Sequence, residues 1–371
     1  MREIYLDNAA TTKPLPEVVE TINEYLTDKW FNPSAKYKPA QEVKRCLYEA
    51  RKTVADFIGA KPEEIYFTSG ASEANNWAIK GYLEKEHSRM LPFVTTAIEH
   101  KSILSIAEYY GCMTRVLEPG RYTGEIVLDS VTTATFLPNP IVSVQWANNE
   151  IGVIQDVELM ASVCHNRDIV FHTDATQAFP HIKIDMSQNE IDMMSVSGHK
   201  FGAPKGIGFL YIRNRCKDKI VPLISGAQEN GMRGGTENIP YIMGMAKAIS
   251  MLKPKNQCNL AEYFELQLVN ELGCRINGSP NKLKHIISCT FPEYVVGEYL
   301  IYRLADYGIY LSAGSACNSY ANTPSTVLDA IGLTHDEIAR TARISLSEDT
   351  TREDVDYTIE MMNKICYQFK L

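Results

Sequence analysis

Lys200 stands in the run SVSGHKFGAPKGIGFLYI, residues 195 to 212, beside Gly198, Gly202, Gly206 and Gly208. A lysine serves Schiff-base chemistry when its surroundings leave a neutral amine able to attack a carbonyl. The glycines mark backbone that bends and approaches something closely. Lys205 in the same run is the alternative amine. Asp174, in FHTDATQAFP (171 to 180), follows an apolar strand, where open α/β sheets carry their ligand groups. A buried carboxylate there needs a cationic partner, and a protonated pyridine nitrogen that lets a ring withdraw electrons is one. A plain helix cap is the alternative use of Asp174.

Four further segments carry groups of the same kind. FTSGASEANN (67 to 76) runs from a strand through a Ser/Gly turn into a helical pattern. Free amides at such a helix start bind anions, and Ser72 adds a hydroxyl; a capped turn is the alternative. His100, in TTAIEHKSI, follows a strand and either stacks on an aromatic ring or is a hydrogen-bonded structural histidine. SGAQENGMRGGTEN (225 to 238) is too polar and Gly-rich for core, and Arg233 and Thr236 offer donors suited to phosphate. LSAGSACNSYANTPS (311 to 325) places Cys317 among small residues, and ARISLS directs Arg343, whose fork suits a carboxylate.

The elements that position these groups are legible as short β-rich runs alternating with amphipathic segments. The runs are IYF (65 to 67), FVTTA (93 to 97), IVSVQ (141 to 145), IVFHT (169 to 173), MMSVS (193 to 197) and IGFLYI (207 to 212). Such alternation predicts βα units around a largely parallel sheet. Val43, Leu47, Ala50, Val54 and Phe57 recur at helical spacing, with Gly59 placed to end that helix, and Val157, Met160, Val163 and Cys164 repeat the pattern. The rhythm fades near residue 250, where Lys253, Pro254 and Lys255 interrupt a helical pattern. The expected division is a large domain over 14–250 and a smaller α+β domain made of 1–13 with 251–371, carrying HIISCTF, GIYLSAG and ARISLS.

Bulk properties narrow the function. The chain has 371 residues, enough for two cores, with 45% hydrophobic and 22% charged residues, the make-up of a folded globular protein. The net charge of -8 with no basic run disfavours nucleic acid and anionic membrane as partners and favours small-molecule chemistry. MREIYLDNAATT lacks the apolar core of a signal peptide and no stretch is apolar enough to span a bilayer, so a cytoplasmic location is expected. The nine cysteines show no zinc-like spacing and read as reduced thiols, with no metal site expected.

Taken in order from YLDNAATT to ARISLS, these segments resemble the cysteine desulfurases of the class V, fold-type I group of pyridoxal-phosphate enzymes, over nearly the whole chain. The resemblance implies an α/β fold with a mostly parallel seven-stranded sheet in the large domain. It implies pyridoxal 5'-phosphate held by Lys200 as a Schiff base, by Asp174 at the pyridine nitrogen, and by Gln177 and Asn149 (in ANNEIG) at the phenolic oxygen, with His100 stacked on the ring. Phosphate would be held by Ala71, Ser72, Ser197, His199 and, from the other subunit of a homodimer, Thr236. Arg343 would bind the carboxylate of L-cysteine, and Cys317 would accept its sulfur as a persulfide, leaving alanine and passing sulfur to an acceptor protein for iron–sulfur cluster assembly or thiolation. Lys200, Cys317 and His100 are the catalytic residues on this reading. The chain departs from the family pattern at Tyr37 and Pro39 (NPSAKYKP), at Ala227 (SGAQE) and at Ser347 (ISLS). Another class V enzyme, an aminotransferase or selenocysteine lyase with no essential role for Cys317, is the alternative.

Overall fold

The computed structural model describes residues 3–85, 91–252, 258–313 and 324–368. Its strands are β1 (Ile4–Tyr5), β2 (Ile65–Thr68), β3 (Phe93–Thr96), β4 (Thr114–Leu117), β5 (Ile141–Ser143), β6 (Val170–Asp174), β7 (Met193–Ser197), β8 (Gly208–Ile212), β9 (Arg275–Ile276), β10 (Ile286–Thr290), β11 (Ile309–Tyr310) and β12 (Thr341–Ser345). Seven of them form one sheet in the order β2-β8-β7-β6-β5-β3-β4. β8 runs antiparallel to both β2 and β7, and every other pairing in the sheet is parallel.

The apolar runs explain the sheet. Every residue of β6, β7 and β8 is buried, as expected for strands with helices over both faces. β4 lies at the edge with only Leu117 buried, so TRVL carries no apolar run and was not foreseen. The helix Lys38–Phe57 buries Val43, Leu47, Ala50 and Val54 as their spacing predicts. Phe57 departs from that prediction: it is 39% exposed, its ring resting on Phe179 at the rim, while Ile58 takes the core position. The helix stops there because Gly59 turns into the left-handed region at φ 65°.

A second core gathers residues between Ala261 and Cys366 around the antiparallel sheet β12-β10-β9. Ile4 and Leu6 belong to it, and β1 pairs in parallel with β11. Ala9 already packs in the first core, so the N-terminal segment passes from one core to the other within a few residues. No described helix is long and apolar enough to cross a membrane.

Candidate active site

The carboxyl ends of the parallel strands share one edge of the sheet, and the chemistry-bearing side chains collect there. Asp174 closes β6, Ser197 closes β7, His100 follows β3 and Asn149 follows β5. β2 runs parallel to β7 through β8, so the turn after Thr68 reaches the same edge.

Asp174 is 2% exposed. Its Oδ2 accepts from Asn75 Nδ2 at 2.8 Å and its Oδ1 from the Thr176 N–H at 2.9 Å. No lysine or arginine pairs with it among the described residues. A carboxylate this buried is tolerated with a cation beside it, and a pyridinium nitrogen meets that requirement. Asn75 also donates to Ser102 Oγ at 2.9 Å, and Ser102 Oγ lies 2.8 Å from His100 Nδ1. The aspartate and the histidine are thus held in one hydrogen-bonded chain. His100 accepts from the Ser102 N–H as the N-cap of the helix Lys101–Tyr110, so the structural use foreseen for it coexists with its place at the site.

The anion cradle is built from backbone. Gly70 sits at φ 146°, which only glycine adopts freely, and the first intrahelical bond runs from Ala74 N–H to Gly70 O at 3.1 Å. The earlier amides, those of Ala71 and Ser72 among them, stay open to a ligand at the start of the helix Ala71–Lys85. Ser197 Oγ is 3.4 Å from where a Cβ on Gly70 would stand. Arg233, read from sequence as a phosphate donor, instead forks Glu73 with Nε at 2.8 Å and Nη2 at 3.1 Å. Burial alone would raise the Glu73 carboxyl, but that fork and the Ser69 N–H outweigh it and hold it below its ordinary value. Thr236 is exposed and borders a cavity of about 230 Å³ with Ser69 and Gly206.

Lys200 Nζ donates to Ala9 O at 2.6 Å and Ala10 O at 2.8 Å, and Gln177 Nε2 donates to Ala9 O at 2.8 Å. The amine is therefore stationed on the N-terminal turn, a short swing from the sheet edge. His199 Nδ1 lies 3.1 Å from Thr11 Oγ1; burial, followed by the nearby Lys200 and Lys205 charges, pushes its imidazole down to about 4, so it is neutral at physiological pH. A cleft of about 690 Å³ opens beside Lys200 and Gln177, but Asp174, His100 and Arg343 do not line it. Asp174, His100 and Arg343 gather at the strand edge, apart from that cleft.

Arg343 leaves β12 fully buried, with Nη2 on Asp7 Oδ1 at 2.6 Å and Nη1 on Asn149 O at 3.1 Å. Cys317 lies outside the described residues, as do Lys253, Pro254 and Lys255. Sequence reasoning missed several residues. Asp7 lies in YLDNAATT, a segment without period that marks no single residue. Asn75 is a buried amide on the inner side of its helix. His172 bridges Ser143 Oγ at 2.8 Å and Ser195 Oγ at 2.9 Å beneath Asp174, and burial pushes it down to about 4. Glu99 accepts from Thr96 Oγ1 and the Gln145 N–H, both at 2.8 Å. Burial drives its carboxyl up to about 8, and the charge of Asp174 adds to the rise. The available signal was polar residues inside otherwise apolar runs, which marks groups that must have partners.

The model of the class V aminotransferases matches residues 4–358, and the chain belongs to that family, as a fold-type I enzyme whose cofactor is pyridoxal 5'-phosphate. The relative named "Cysteine desulfurase IscS" from Methanosarcina thermophila is 38% identical over 380 residues, covering 100% of this chain and 93% of the relative. A protein of the same name from Dictyoglomus turgidum is 37% identical over 98% of this chain and 94% of its own. Among solved structures, "NIFS-LIKE PROTEIN" superposes with a TM-score of 0.89 at 32% identity, covering 99% of this chain and 100% of that one. "SspA in complex with cysteine" gives 0.84 at 37% identity, over 92% and 98%.

Proposed function

We propose that this chain is a cysteine desulfurase, taking sulfur from L-cysteine and leaving L-alanine. The observation that carries the reading is the buried Asp174, with no lysine or arginine paired to it among the described residues, set at the same sheet edge as a candidate anion cradle and Lys200, in a chain whose full-length relatives bear the name cysteine desulfurase. Pyridoxal phosphate, when bound, supplies an aldehyde that condenses with amines and a ring that withdraws electrons.

Around it, each residue has a task set by its chemistry. Asp174 would keep a proton on the ring nitrogen, with Asn75 and Thr176 fixing its two oxygens. The amides of Ala71 and Ser72, with Ser197, would hold the phosphate, and neutral His199 can donate or accept beside them. Gln177 and Asn149 would contact the phenolic oxygen, and His100 would cover the ring. Lys200 would hold the cofactor's aldehyde carbon and, as a free amine, would move protons at the substrate carbon. Arg343 takes the α-carboxylate. Cys317, as thiolate, forms an S–S bond to the substrate sulfur while the Cβ–S bond breaks. Substrate and enzyme thiol become alanine and an enzyme persulfide, with no outside oxidant. We further infer a cytoplasmic homodimer in which Thr236 reaches the partner's phosphate, and a sulfur-acceptor protein that drains the persulfide.

The experiment is to give L-cysteine to the purified holoenzyme and quantify alanine and sulfide beside Lys200→Ala and Cys317→Ala. Both variants should fall to background. Alanine formed undiminished by Cys317→Ala points to another class V reaction, and no alanine from the unaltered chain refutes the proposal.

A further inference from the structure

The geometry points to Asp7 as a specificity-determining residue that balances the charge of Arg343 and so sets how tightly a substrate carboxylate is held. This rests on the reading of Arg343 as the carboxylate-binding group. Arg343 is 1% exposed, and an arginine so buried requires a counter-charge. Asp7 Oδ1 supplies it from 2.6 Å, the only ion pair of Arg343 among the described residues. The Asp7 side chain is 19% exposed against 2% for that of Arg343, so the aspartate lies toward solvent and the arginine behind it.

The contact is one-pronged. Asp7 meets Nη2, Asn149 O takes Nη1 at 3.1 Å, and Nε is left buried without a hydrogen-bond partner among the described residues. Nε and Nη2 form one edge of the guanidinium, the edge that Arg233 and Arg215 present to their carboxylates with both nitrogens engaged. At Arg343 one donor of that edge is taken and the other is open. An incoming carboxylate gains Nε and must share or take Nη2, against the charge of Asp7. Arg343 is thereby kept satisfied and oriented, while affinity for the carboxylate is held down.

The backbone gives the pair a wider reach. Asp7 is bridged to Ser345, and Ala9 N–H donates to Ser345 Oγ at 2.9 Å. The same turn presents Ala9 O and Ala10 O to Lys200. A carboxylate that displaces Asp7 therefore pulls on the turn that stations the lysine amine.

The test is a titration of holoenzyme with L-alanine, which carries the carboxylate but no sulfur, followed through the cofactor absorbance. Asp7→Asn keeps an accepting oxygen and removes the charge, so it should tighten L-alanine about tenfold, ~1.4 kcal/mol. KM for L-cysteine should fall with it, and Asp7→Glu should return toward the unaltered affinity. A pair with a merely structural role would weaken binding in Asp7→Asn, and weaker or unchanged binding overturns the proposal. Asp7→Ser repeats the comparison if Asp7→Asn does not fold, and failure of both to fold overturns it in favour of a purely structural ion pair. Arg343→Gln separates the two assignments: unchanged L-alanine affinity there refutes the role of Arg343 itself, whereas weakened affinity there with no gain in Asp7→Asn refutes only Asp7.

Discussion

Glu99 and Asp174 are buried at the same sheet edge, and the structure treats them differently. Asp174 has two donors of its own, from Asn75 and the Thr176 amide, while both donors to Glu99 fall on Oε1 and Oε2 has none among the described residues. Burial, with the charge of Asp174 adding to it, outweighs the two hydrogen bonds to Glu99 and lifts its carboxyl from 4.5 to about 8. A carboxyl whose folded value is raised contributes stability that is complete below the unfolded value and is lost as pH rises toward the folded one. Glu99→Gln, which keeps the accepting oxygen and cannot ionise, should thus gain on the unaltered protein as pH rises between 4.5 and about 8, by on the order of a few kcal/mol. Denaturant midpoints across that range measure it, and parallel profiles would contradict it. Asn75 gives a second prediction, because one amide serves both Asp174 and Ser102. Asn75→Ala strips a charged hydrogen bond of roughly 1.5–3 kcal/mol, so cofactor affinity should drop at least tenfold in an equilibrium titration. At this scale Lys200, Asp174 and His100 stand out in the sequence because glycine and strand context surround them. Asn75 and Glu99 stayed hidden because a buried polar side chain declares itself only through its partner.

Strands with apolar runs were legible along the chain because both faces of the sheet are covered, so burial writes itself as consecutive Val, Ile, Phe and Met. β4 escaped because an edge strand needs no such run, and β1 and β9 because two residues cannot display a period, whereas β11 falls within the run GIYLSAG. The turn at Gly70 was legible as a Ser/Gly turn and β8 as the run IGFLYI, but their close approach to each other was not. A Cβ on Gly208 would stand 2.4 Å from Val196 O and 2.7 Å from Gly70 Cα. Both are backbone atoms, one in β7 and one in the turn after β2, with no side chain to swing aside. Gly208→Ala should therefore push β8 off β7 or push the Gly70 turn outward. We expect a loss of about 1–3 kcal/mol in unfolding free energy and a larger proportional loss of cofactor than of secondary structure. Cofactor retention and circular dichroism, followed on one heating series, distinguish this from general unfolding, in which the two fall together.

The two cores meet through the N-terminal segment, and the whole molecule depends on that crossing. Leu6 is fully buried in the second core, and its carbonyl accepts the Ser345 N–H at 2.7 Å. Asp7 reaches Arg343, Ala9 and Ala10 reach Lys200, and Thr12 N–H reaches His199 O at 2.8 Å. Residues 6 to 12 thus tie a group that follows from one core to groups that follow from the other, with no side chain longer than a leucine bridging them. Such a tie could not be read from sequence, since YLDNAATT carries no period and its partners lie some 190 to 340 residues away, as the separations of 191 for Ala9–Lys200 and 336 for Asp7–Arg343 show. Leu6→Ala tests the tie from its apolar end. Deleting those buried methyls costs about 2–5 kcal/mol from transfer and cavity together. If the segment couples the cores, the variant should lose L-alanine affinity and cofactor retention at temperatures where the first core is still folded. Trp77, buried against the opposite face of the sheet that backs the first core, reports on the latter by fluorescence. Cofactor loss that coincides with the Trp77 transition would mean that the segment carries stability alone, and that Lys200 and Arg343 are positioned by their own cores.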